Sequence, residues 1–314
     1  MNLKQLRLVR EIVRSNFHVT EAASAQFTSQ SGVSKHVKDL EDELGVAIFE
    51  RRGKRLLGLT DPGAEVLKCI DRVLLEIGNI RNVASTFSNG QSGTLKIAAT
   101  HTQSRYALPK YLSEFRSRYD DVEIVLLQAH PREVPTLLLS GECDIGFATD
   151  TLDDVPDLLA FPFYSWEHEV IVPEGHPLQG RENVTLQEVA QCPLVTYDQG
   201  LTGRKQIDRA FEKLALKPRI AMAAIDSDVI KTYVGLGLGV GIIAGMAYDA
   251  DNDSGLSKVS LKTRIDSSQT CFALRRGRFR KDYVYRFIEM CAPAVTKEVI
   301  LQAEALRDEI DGTI

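Results

Sequence analysis

No run of the chain approaches the ~20 consecutive apolar residues that a membrane helix needs, so a helical span is excluded by the sequence. Cysteine is sparse. Cys69, Cys143, Cys192, Cys271 and Cys291 are an odd number, hold no CxxC pair and have no histidine at ligand spacing. That argues against a disulfide framework or a zinc site, and for buried thiols. The six histidines, His18, His36, His101, His130, His168 and His176, form no nucleophile-and-base constellation in sequence, so no catalytic residue, metal ligand or cofactor is expected. The N-terminal MNLKQLRLVREIV lacks the apolar core and small-residue cleavage site of a secretory signal, and the expected compartment is cytoplasmic. A net positive charge is missing too, since the whole chain carries −5 at pH 7.

The charge is unevenly divided. Residues 1–58 hold ten Lys plus Arg against seven Asp plus Glu, a balance of +3 that leaves −8 for the remainder. A small cationic head suits nucleic acid, and an acidic body discourages indiscriminate sticking. At 314 residues, 44% hydrophobic and 26% charged, the chain is long enough for two or three domains with full cores.

The stretch from Val19 to Arg52 reads as a helix-turn-helix. Thr20 is placed to cap a short helix carrying Ala22, Ala23 and Ala25, small enough for a second helix to cross close by. A tight bend is expected at Phe27 and Thr28. Thr28 or Ser29 then caps a longer helix in which Val33, Val37, Leu40 and Leu44 form one apolar stripe, and Gly45 ends it. The opposite face carries Gln30, Ser31, Ser34, Lys35 and Lys38, short hydrogen-bonding groups with cations behind them. That order fits a recognition helix, whose first turns meet base edges while lysines neutralise phosphates. A solvated surface helix has the same polar face. The segment FERRGKR adds Arg51, Arg52, Lys54 and Arg55 around a glycine suited to a hairpin tip, as a basic wing beside the groove would be built.

From Phe27 to Phe49, together with Thr60-Asp61-Pro62-Gly63, the sequence resembles the N-terminal domain of LysR-type transcriptional regulators, and the resemblance extends over nearly the whole chain. It implies that Gln30, Ser31, Ser34 and Lys35 are the principal DNA contacts. Gly32 stands where many members have Pro or Ala, which loosens the first turn slightly.

Thr60 is placed to cap a helix running toward Phe87, in which Val66, Ile70, Val73, Ile77, Ile80, Ala84 and Phe87 alternate by four and three. So narrow a seam predicts a dimerising helix over 60–88, although a long helix packed on its own domain shares the pattern. Ser88 to Gly93 reads as a linker. Strands and helices then alternate in two cycles, the signature of doubly wound α/β lobes with mainly parallel sheets. The expected architecture is therefore α/β: a winged helix-turn-helix (1–59), the dimerisation helix, and a two-lobed periplasmic-binding-protein-like effector domain (89–314). Lobe I spans about 94–162 and 268–295, and lobe II about 163–267, with crossings near Pro162 to Ser165 and Asp266 to Ser268. The acidic tail from Thr296 presents Val299, Ala303 and Leu306 on one side, toward the core or toward another subunit.

In such sheets a ligand sits at the carboxyl ends of strands. Three hydroxyl clusters occur there: Thr100 to Ser104, Thr149, and Thr202-Gly203. Hydroxyls, amides and helix N-termini suit a fully ionised oxyanion such as sulfate, which offers only acceptors. Trp166, the only tryptophan, stands at the first crossing, where it faces either cleft or core. The strings THTQSRYALP, PLVTY, LTGR and SDVIKTYVGLGLGVGII resemble the CysB-like branch of the family, which controls cysteine biosynthesis and sulfonate use. That resemblance implies a ligand set of Thr100, Thr102, Gln103, Thr149, Trp166 and Thr202, with Arg204 and Asp226-Ser227 as weaker candidates. It further implies an activator bound to promoter DNA as a homotetramer. Its effector would be sulfate, thiosulfate, adenosine phosphosulfate or an acetylserine. A regulator of another small-anion pathway, and a cytoplasmic solute binder or enzyme using the same cleft, are the competing functions.

Overall fold

The computed structural model describes residues 1–53, 55–89, 92–149 and 151–311, with side chains for all of these except 88, 89, 202 and 307–311. It divides into two compact units, residues 1–90 with 277–279 and residues 91–276 with 280–314.

The first unit is built on α1 (Leu3–Arg14), α2 (Val19–Ala25) and α3 (Gln30–Leu44), followed by the hairpin β1 (Phe49–Arg52) and β2 (Arg55–Leu59) and by α4 (Asp61–Asn89). Leu6, Leu8, Val9 and Ile12 of α1 pack with Ala22, Ala23, Val33, Val37 and Leu40 into one core. Ser29, not Thr28, caps α3, accepting from the Gly32 amide at 3.1 Å. A Cβ at Gly32 would lie 3.1 Å from the Thr28 hydroxyl and 3.2 Å from that of Ser29, so the glycine leaves room for the cap. Thr20 lies inside α2, whose N-cap is His18 without a side-chain bond. Leu44 is partly exposed, so the buried stripe of α3 ends at Leu40. Gly45 closes the helix in the left-handed region, as its position implied.

Thr60 does cap α4, accepting from the Gly63 amide at 2.9 Å. The apolar residues of this 29-residue helix split between two faces. Ile70 and Leu74 are buried against the helix-turn-helix core, flanked by Val66 and Ile77. Val73, Ile80, Val83 and Phe87 remain exposed. The single seam read from the sequence is thus two stripes. A straight helix turns 100° per residue, so a strict four-three repeat drifts around it and its members part company. Of the linker expected over 88–93, residues 90 and 91 lie outside the described residues, while α4 runs to Asn89 and β3 starts at Gly93.

The second unit holds two five-stranded sheets. The first contains β3 (Gly93–Ala99), β4 (Val122–Gln128), β5 (Ile145–Thr149), β6 (Leu158–Trp166) and β12 (Ser268–Arg275), in the order β4-β3-β5-β12-β6. The second contains β7 (His168–Pro173), β8 (Leu194–Tyr197), β9 (Ile220–Ala224), β10 (Val240–Ala244) and β11 (Leu256–Val259), in the order β11-β7-β10-β8-β9. The helices are α5 (Pro109–Arg118), α6 (Val134–Leu139), α7 (Leu186–Ala190), α8 (Thr202–Glu212), α9 (Ser227–Gly235), α10 (Asp282–Cys291) and α11 (Lys297–Asp311).

Within each sheet two strand pairings are parallel and two antiparallel, so four strands run one way and a single strand, β12 in the first sheet and β7 in the second, runs against them. β6 continues to Trp166 in the first sheet, and only Glu167 separates it from β7, so residues 163–166 belong to the first lobe. The tail helix α11 turns Ile300, fully buried, and Ala303 toward the first lobe's core, leaving Val299 and Leu306 exposed.

Candidate functional site

Two sites were expected, one in each unit. In the first, Gln30, Ser31, Ser34, Lys35 and Lys38 all project from α3 into solvent, opposite its buried stripe. The hairpin turns at Gly53 with φ of +64°, a conformation glycine adopts without strain. Arg52 and Arg55 pair across it, both exposed. Arg51 is held by Glu41 at 2.7 Å, and the same carboxylate accepts from the Ile48 and Phe49 amides. Arg51 therefore helps fix the wing to α3. Lys54 lies outside the described residues.

In the second unit a cavity of about 420 Å³ opens between the two sheets. Thr100, Thr102, Gln103, Thr149 and Trp166 line it, so five of the six expected ligand residues come together. The side chain of Thr202, the sixth, lies outside what is described, though its neighbours Leu201 and Gly203 line the cavity at the start of α8. After β3 the chain does not enter an ordinary helix directly. It passes through a π-helical turn, Gln103–Ala107, before α5 begins at Pro109.

Sequence reasoning missed the residue that connects these groups. Thr270, fully buried on β12, accepts from Trp166 Nε1 at 3.1 Å and from Gln103 Nε2 at 3.3 Å. Its hydroxyl also lies 3.0 Å from that of Thr149. Two N–H donors fill the Thr270 lone pairs, so its own proton points at Thr149, and Thr149 sends its proton elsewhere. The Gln103 carbonyl accepts from Tyr164, whose phenol burial pushes up to about 12. Both Trp166 and Gln103 are thus tied into the wall, and they shape the cleft more than they offer free donors to it.

Beneath the N-terminus of α8, a Cβ at Gly203 would lie 2.8 Å from the Tyr197 ring, so only glycine lets the helix approach this closely. Tyr197 is itself buried, its hydroxyl 2.7 Å from Ser227 and accepting from the Ala244 amide at 2.8 Å. Ser227 is accounted for in this way. Arg204, buried, is bound to Asp208 at 2.6 Å and to the Tyr197 carbonyl at 3.0 Å. His168, beside Trp166 at 4.8 Å between ring centroids, is neutral at pH 7 because burial pulls its pKa down to about 4.

The cleft also has acidic residues that strand-end reasoning did not nominate as a set. Glu133 and Asp226 line it, together with His101 and His130. Asp226 caps α9, accepting from the Val229 amide at 2.8 Å. At the same rim Asp228 receives Tyr106 from the other lobe and Lys231 at 3.3 Å, with His101 3.5 Å away. Burial pushes its carboxyl up, but the hydrogen bonds from Tyr106 and Lys231 outweigh that and hold its pKa below the ordinary value.

Comparison with known proteins gives concordant results. Residues 3–64 match the pattern described as a bacterial regulatory helix-turn-helix protein of the lysR family, and residues 88–296 match the LysR substrate binding domain. The HTH-type transcriptional regulator SsuR of Burkholderia cenocepacia is 51% identical over 310 residues, which is 99% of this chain and 100% of that protein. The HTH-type transcriptional regulator CysB of the same species is 45% identical over 303 residues, 96% of this chain and 97% of that protein. Among solved structures, the cofactor-binding domain of the Cbl transcriptional regulator superposes with a TM-score of 0.65 at 42% identity, covering 68% of this chain and 94% of that one.

Proposed function

The chain belongs to the LysR family of transcriptional regulators, which bind promoter DNA, respond to small effectors and form oligomers, and from that premise we propose an activator of sulfur-assimilation genes governed by an oxidised sulfur anion in the inter-lobe cleft. Within the family it groups with SsuR and CysB, regulators of the CysB-like sulfur branch. The observation that carries the effector class is the cleft wall, where Thr100, Thr102 and Thr149 gather at strand ends around one cavity. Hydroxyl donors of this kind complement an oxyanion that needs no proton in return. The volume, about 420 Å³, exceeds what a bare sulfate fills, since a single water occupies ~30 Å³ of liquid. A larger organic anion, the sulfur-bearing adenosine phosphosulfate or the carboxylate of an acetylserine, therefore fits the cavity as well as sulfate or thiosulfate. The proposed assembly is a tetramer working in the cytoplasm, and no catalytic role is proposed.

Calorimetric titration of the full-length chain with sulfate, thiosulfate, adenosine phosphosulfate and N-acetylserine tests this. At least one of the three sulfur anions should bind with one site per chain, N-acetylserine alone being insufficient, and both Thr102→Ala and Thr202→Ala should weaken it by more than tenfold. Saturation by an uncharged or aromatic ligand instead, with all four anions inert, would overturn the effector class.

A further inference from the structure

Phe27 sits in the bend between α2 and α3, and its backbone takes a φ of +49°. A bulky residue is strained in the left-handed region, where glycine or asparagine is not. Its ring is 99% exposed and so contributes no burial that would offset the strain. Two other phenylalanines of the same unit show what an explained case looks like. Phe17 also has positive φ, +65°, but its ring packs edge-on against Phe49, 6.3 Å between centroids, in the core. Phe87 is 88% exposed, but it belongs to the bare apolar stripe of α4 with Val73, Ile80 and Val83, a surface of the kind two helices share. Phe27 has neither a core nor a stripe.

It does have a position. Phe27 stands three residues before Gln30, the first residue of α3, and directly before Thr28 and the Ser29 cap. Where the N-terminal end of a recognition helix meets base edges, the bend leading into it lies at the rim of the same groove. The major-groove edges of the four base pairs present donors, acceptors and a single apolar group, the thymine methyl. We propose that Phe27 is a specificity-determining residue of the DNA interface, its ring packing on a thymine methyl at the groove edge beside the groups read by Gln30 and Ser31. The inference rests on α3 being the reading helix. The strained bend holds an aromatic ring out of the protein, where the duplex buries it.

The test uses the full-length chain and a duplex enriched from a random pool by that chain, with affinity measured by fluorescence anisotropy over a range of salt. Phe27→Asn suits the left-handed backbone, so its melting temperature should equal or exceed that of the unaltered chain. Its affinity should fall roughly tenfold, as loss of a partly buried aromatic contact implies. The slope of log K against log salt should not change, because no phosphate contact is removed. Lys35→Ala, by contrast, should lower that slope by about one. Phe27→Leu keeps an apolar group on the same strained backbone and should retain most of the affinity. Replacing thymine by deoxyuracil in the duplex should weaken the unaltered chain by a similar factor and Phe27→Asn no further. Equal binding by Phe27→Asn, equal losses in the Leu and Asn variants, or indifference to deoxyuracil would each overturn the proposal. A normal loss for Lys35→Ala beside an inert Phe27→Asn would leave α3 as the reading helix and remove Phe27 alone.

Discussion

Thr270 accepts from Trp166 and Gln103 and touches Thr149, so Thr270→Val would strand several buried polar groups at once. The expected cost is about 2–3 kcal/mol of stability in urea unfolding, with effector binding lost. Thr270→Ser, which keeps the hydroxyl, should restore binding, and a silent valine variant would show the network to be incidental. His168 supplies a pH test beside the only tryptophan. Its imidazole titrates near 6.5 when unfolded and near 4 in the fold. Between those values the unfolded chain binds the extra proton, so stability is complete above about 6.5 and falls as pH drops through that window. The slope is at most ~1.4 kcal/mol per pH unit. Unfolding followed by Trp166 emission at pH 7 and pH 5 should show a smaller difference in His168→Gln than in the unaltered chain. Thr100, Thr102 and Thr149 were legible beforehand because each ends or closely follows a strand whose apolar run is visible. Thr270 was not, because its bond to Gln103 joins residues 167 apart in sequence.

At the scale of elements, α4 separates two apolar faces, one buried and one exposed, that its sequence merges into one seam. Ile70 and Leu74 close the core of the helix-turn-helix unit, while Ile80 and Phe87 are left exposed, a face we propose meets another chain. Ile80→Asp is therefore expected to halve the mass measured by sedimentation equilibrium at micromolar protein, with the melting temperature of the DNA-binding unit unchanged. Leu74→Ala should do the reverse, destabilising that unit by about 2–5 kcal/mol with assembly intact in folded protein. If Ile80→Asp leaves the assembly state as it was, the exposed stripe has another purpose. Helix α3, with its Ser29 cap and its Gly45 stop, fell where the sequence put it. The extent of β6 was harder to read, because Pro162 interrupts its pattern and its end is set by pairing with β12, a strand from the far end of the chain. The partner of α11 was equally hidden, since only the fold reveals that Ile300 faces the first lobe.

For the molecule as a whole, a cationic head and an acidic two-lobed body must exchange free energy if one is to control the other. An effector shifts the DNA-binding equilibrium only by its difference in affinity for the two states, typically about 1–3 kcal/mol, or roughly 5- to 150-fold in affinity. That coupling was beyond the sequence, which displays sites but not the energy between them. The most direct measurement is the affinity of the full-length chain for its selected duplex, with and without a saturating oxidised sulfur anion, in the unaltered protein and in Thr102→Ala. The anion should change the affinity of the unaltered chain at least fivefold, and Thr102→Ala should bind the duplex normally while ignoring the anion. The same duplex affinity with and without every anion tested, in a chain that binds DNA well, would contradict control from the cleft.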